Sequence, residues 1–222
     1  MQIGGVFREG RFHAPEVREA TIYANDPANG STFLKPEAVH FLIPFTGATI
    51  IDILGGHHFD LFTYVLGDFA NITATAVNQY PVGHVFDNDG KPTGKTIESP
   101  FPDQFTYSGT LKSGVFASGI WRTGYSSTPG RVNLVWVIDG EEGSIKVEGD
   151  ASWLHIQDPK LYLNGELVDV PETGLFGYLS TAWEEFAHGN EGTHATIEDA
   201  VKLHKLIDAL RLSAKEGRRI DL

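Results

Sequence analysis

Apolar positions along this chain keep two different periods, and the switches between them predict its elements. In the middle they alternate with polar ones. Residues 104–112, 115–123, 131–139 and 144–148 each read as a strand bounded by glycine, with hairpin turns at Lys112-Ser113-Gly114 and Asp139–Gly143. Shorter strands are expected at 153–157, 161–163 and 166–170, where Asn164-Gly165 is a strong two-residue turn signal. Upstream, 17–23 and 69–80 also alternate. Residues 25–35 are dense in turn formers, and 81–103, with its prolines and glycines, reads as a long loop that is functional or mobile.

Helical spacing takes over elsewhere. The longest apolar stretch is GATIIDILGGHHFDLFTYVLG, residues 47–67, about 31 Å long if helical throughout. Thr49 is the expected N-cap and Gly67 the stop. Being apolar on most sides, this helix is expected to be buried. A buried helix carries His57, His58 and Asp60 only if they find partners or line a cavity. Two more helices are expected at 177–188 and 196–215. The second has an amphipathic stripe from Ile197 to Ala214, a capping box at Thr196 and Asp199, and Gly217 as its end.

The order of strand, helix, a run of strands and then helices implies an α+β fold, a large mainly antiparallel open sheet with helices on one face. Residues 1–16 are expected to be weakly ordered and 17–222 to form one domain. The uncovered sheet face is partly apolar, through Val135 and Val137, and predicts a homo-oligomer.

Composition narrows the function. The chain has 222 residues and a net charge of -12, which argues against nucleic acid and anionic membrane as partners. It lacks cysteine, so disulfides and thiolate metal sites are excluded. Neither a membrane-spanning run nor a signal-peptide apolar core is present, and the cytoplasm is the default expectation. The dinucleotide fingerprint G-x-G-x-x-G, the phosphate-binding G-x-x-x-x-G-K-[ST], G-x-S-x-G and H-E-x-x-H are all missing. A metal held by His57, His58 and Asp60 would want a further well-spaced ligand, so no metal site is expected.

The central helix and the tail TIEDAVKLHKLIDALRLSAKEGRRIDL resemble the C-terminal domain of the Gfo/Idh/MocA oxidoreductases. The G-G-H-x-x-D form with its VLG ending is most similar to the fungal branch that includes the galactose-pathway repressor. The resemblance covers nearly the whole chain. It implies a dihydrodipicolinate-reductase-like C-terminal domain, the substrate and oligomerisation half of an enzyme whose Rossmann half binds NAD or NADP and oxidises a sugar-like or cyclic alcohol. His57 matches the family's acid/base histidine, and Asp60 would orient it. Trp121, Arg122 and Tyr125 would help wall the substrate pocket.

Two departures stand out. The Rossmann half and the catalytic lysine of its Glu-Lys-Pro motif are absent, so the chain alone is expected to bind no cofactor and to be inactive. Lys35-Pro36 follows leucine and sits after the first strand, in the wrong place for that motif. Asp52, the remaining catalytic candidate, lies five residues before His57 instead of four, about 100° off its face unless a π-bulge intervenes. The alternative is a non-catalytic regulatory or protein-interaction protein of the same fold.

Overall fold

In the computed structural model the alternating segments pair into one broad sheet. The structure describes residues 17–26, 33–34, 49–87, 89, 91–123, 133–151, 158–171 and 174–222. Expected features at 1–16, at 153–157 and at Tyr125 lie outside these residues.

The sheet has nine strands: β1 (Val17–Asp26), β3 (Phe69–Val77), β6 (Gln104–Leu111), β7 (Phe116–Thr123), β8 (Leu134–Gly140), β9 (Ser144–Gly149), β10 (Lys160–Leu163), β11 (Glu166–Val168) and β12 (Ile220–Asp221). Their order is β11-β10-β9-β8-β1-β7-β6-β3-β12. Pairing is antiparallel except between β1 and β7. The four strands expected between 104 and 148 share this sheet, but β1 inserts between β7 and β8. Ala24 opposes both Trp121 and Leu134 across it. Alternation assigns a face to each residue but says nothing of which strand lies beside which.

The expected loop at 81–103 is corrected. It contains β4 (Val82–Phe86) and β5 (Pro92–Glu98), which form a second, three-stranded sheet with β2 (Phe33–Leu34), itself inside the expected loop at 25–35. Asp87 closes the β4–β5 turn, its carboxylate accepting from the Asp89 and Lys91 amides at 3.0 and 2.8 Å. β5 is mostly exposed, so it lacks the buried alternate positions that mark a strand in sequence.

Three α-helices, α1 (Ile50–Leu66), α2 (Gly174–Ala187) and α3 (Ile197–Glu216), and a short 3-10 helix at Gly189–Glu191 complete the described fold. α1 and α3 cover the same face of the large sheet. The core beneath them includes Leu54, Phe59 and Phe62 of α1, Ile207 and Leu210 of α3, and Ile72, Trp136 and Ile138 of the sheet. Phe62 stacks on both Phe69 and Trp136, with ring centroids 5.5 and 5.6 Å away. Thr196 and Asp199 form the expected capping box, and Gly217 ends α3 in the left-handed conformation.

Ser213, fully buried on α3, accepts a hydrogen bond from the Ala74 amide at 2.9 Å and donates to the Arg218 carbonyl at 2.6 Å. β12 pairs only with Ile72 and Asn71 of β3. Ser213 therefore serves a strand amide beyond the reach of that short edge strand. On the opposite face of the sheet Val77, Phe116 and Ile120 are exposed among threonines and serines.

Candidate active site

α1 starts because Thr49 caps it, and it ends at Gly67, whose amide donates to the Thr63 carbonyl at 2.9 Å. Its apolar residues are spaced so that Leu54, Phe59, Phe62 and Leu66 share the buried face. The two histidines, 100° apart on the helix, then have opposite fates: His57 is exposed and His58 buried.

His57 and Asp60 line a cleft of about 990 Å³ between the three helices, together with Tyr64 of α1, Tyr178 of α2, and Asp199 and Lys205 of α3. Partial burial holds the His57 imidazole below its ordinary pKa, against the opposing pull of the Asp60 carboxylate. Burial raises Asp60, with His57 opposing and Asp199 adding to the rise. A histidine kept neutral beside a carboxylate can take a proton from an alcohol and return it to a carbonyl.

The structure brings together only part of the predicted set. Asp52 faces away from the cleft: it pairs with Arg211 of α3 at 2.6 Å and bonds Thr49. No π-bulge interrupts α1 to bring it round. Trp121 is buried under α1, its ring 5.0 Å from that of His58. Arg122, next along β7, is half-buried on the opposite face of the sheet from Trp121, so the two do not wall one pocket. Gly55 is closed off by Ile51 at 3.3 Å, whereas the space beside Gly56 is open.

Several cleft residues were not singled out from sequence. Tyr178 donates to the Asp158 carboxylate at 2.6 Å, anchoring the start of α2. Glu185 accepts from the Thr193 amide and hydroxyl at 2.7 and 2.9 Å. Asp199 was legible only as a cap. Away from the cleft, the buried His58 shares a 2.7 Å hydrogen bond with the Tyr107 hydroxyl of β6. Among the described residues no cluster of His, Asp and Glu could hold a metal, and no helix is long and apolar enough to cross a membrane.

The fold is an open, mainly antiparallel sheet with helices on one face, and a histidine and an aspartate of α1 line its cleft. The model of the Gal80p C-terminal domain family matches residues 15–149, and the chain belongs to that family. It is similar to dehydrogenase aclE of Aspergillus oryzae, 34% identical over 179 residues, covering 78% of this chain and 48% of that protein. It is also 34% identical over 122 residues to the galactose/lactose metabolism regulatory protein GAL80 of Kluyveromyces lactis, covering 54% of this chain and 27% of that one. The chain thus spans half or less of the length of these curated relatives.

Solved structures agree on the fold. A super-repressor mutant of Gal80p from Saccharomyces cerevisiae superposes with a TM-score of 0.84 at 21% identity, over 99% of this chain and 61% of that one. An NAD binding oxidoreductase from Klebsiella pneumoniae gives 0.73 at 13% identity, over 99% and 62%.

Proposed function

We propose that this chain is the substrate-binding and oligomerisation half of an NAD(P)-dependent oxidoreductase acting on a sugar-like or cyclic alcohol, in the cytoplasm, with His57 as acid/base and Asp60 as its partner. The observation that carries the reading is the placement of His57, exposed at a large cleft with its imidazole held neutral. A second feature supports a missing half. α2 turns Phe176, Leu179, Trp183 and Phe186 outward, 85, 48, 69 and 59% exposed, a stripe that a further domain would cover. The outer sheet face, with Phe116, Ile120 and Val77 exposed, is the surface for a second copy.

A regulatory reading has one specific support: Asp52 is committed to Arg211 and unavailable to a reaction, and the GAL80 relatives are described as regulatory proteins. The reading frame around this sequence separates the two. An enzyme requires a G-x-G-x-x-G strand–turn–helix and a Glu-Lys-Pro upstream of Met1. In the protein carrying both halves, His57→Gln should lower kcat by about 10²–10⁴-fold. A frame with neither motif, or an unchanged kcat in that variant, refutes the catalytic reading. Calorimetric titration of the present chain with NAD(H) and NADP(H) should show no binding, and a micromolar Kd would overturn the division of labour.

A further inference from the structure

We infer that His58, held by Tyr107, is a positioning residue that fixes the rotation of α1 and so aims His57 into the cleft. The apolar side chains α1 buries, Leu54, Phe59, Phe62 and Leu66, attract the sheet without preferring a direction. A small turn or slide of the helix preserves most of that burial. It does not preserve a hydrogen bond, which is lost within a few tenths of an ångström and tens of degrees. His58 supplies such a bond one residue from His57: its Nε2 lies 2.7 Å from the Tyr107 hydroxyl.

The surroundings are built for this pair. The rings of Phe59, Trp121 and Phe62 stand 5.1, 5.0 and 6.3 Å from that of His58, leaving it little water to bond instead. Tyr107 lies across Gly119 of β7, where a Cβ would come within 2.5 Å of its ring and 2.6 Å of its hydroxyl. Any side chain there would push Tyr107 off His58. Three elements thus agree on one ring position. Burial also lowers the pKa of His58 to about 3, so it stays neutral and does not compete with His57 for a proton.

The inference rests on the acid/base reading of His57. Its test reads a titration instead of turnover, so the two can fail separately. Histidine NMR on the labelled full chain, with His57 assigned through His57→Gln, should give a His57 midpoint below 6.5 that falls further in Asp60→Asn. In Tyr107→Phe the midpoint should move towards 6.5 and the response to Asp60→Asn should shrink. The double variant His58→Leu/Tyr107→Phe removes both polar partners and should recover stability while the His57 titration stays altered. The inference is overturned if Tyr107→Phe leaves the His57 midpoint and its response to Asp60→Asn unchanged, or if the double variant restores both together with stability.

Discussion

Acid should unfold this domain earlier than its carboxylates alone require, and His58 is the reason. Its side chain is enclosed by aromatic rings, and desolvation takes its pKa from 6.5 to about 3. The unfolded chain therefore binds a proton that the folded chain refuses. A depressed pKa of this kind leaves stability fully present above the unfolded value and removes it as pH falls towards the folded one. The window is pH 6.5 down to 3. The linkage amounts to about 3 kcal/mol at pH 4 and about 4 at pH 3. Asp60, whose pKa is raised, works in the opposite sense at the lower end of this window, because its protonation favours the folded state. Denaturant midpoints at pH 7, 5.5 and 4 measure the effect. The double variant His58→Leu/Tyr107→Phe removes it, leaving only the smaller change at the half-exposed His57 and Asp60. The wild type should lose about 3 kcal/mol more than the double variant between pH 7 and 4. Equal losses would show that His58 titrates normally and that the cage does not exclude water.

Other substitutions probe the frame that holds the site. Ser213→Ala strands the Ala74 amide beyond the end of β12 and should cost about 2–4 kcal/mol, read from the urea midpoint; a loss under about 1 would mean that water replaces the hydroxyl. Asp103, 2% exposed, accepts from the Gln79 and Tyr80 amides at 3.0 and 2.7 Å. Asp103→Ala orphans both, and a loss of about 3–5 kcal/mol should lower Tm by about 6–20 °C by calorimetry; no change would show that the loop at 78–81 is held otherwise. Val135→Asp with Val137→Asp places two charges on the outer sheet face. Sedimentation equilibrium should then show the self-association Kd raised about 100-fold or more, and a wild type monomeric at micromolar concentration would exclude this face as an interface.

Much of the architecture was legible because burial on one side of a sheet or helix imposes a period on the sequence. The alternation in β6 to β9 marked both the strands and the faces they bury. Thr196, Asp199 and Gly217 marked the ends of α3, because the orphan groups at helix termini need particular side chains. The family pattern pointed to His57 and Asp60, and they do share a cleft. Spacing put Asp52 off the face of His57 unless a π-bulge intervened, since one residue along a helix is a fixed rotation, and α1 runs without one.

What lay beyond the sequence was decided by contacts between residues far apart in the chain. β1 enters between β7 and β8, and β12 takes the edge beside β3, choices that depend on pairing energies summed over the whole sheet. β5 went unseen because its exposed residues leave no apolar period. The Arg211 that claims Asp52 is 159 residues away. Tyr107, whose hydroxyl holds the buried His58, is 49 residues from it. Local patterning settles which side of each element avoids water. Only the packed structure settles which polar group meets which, because a buried hydrogen bond depends on the positions of two partners that the intervening chain does not encode together.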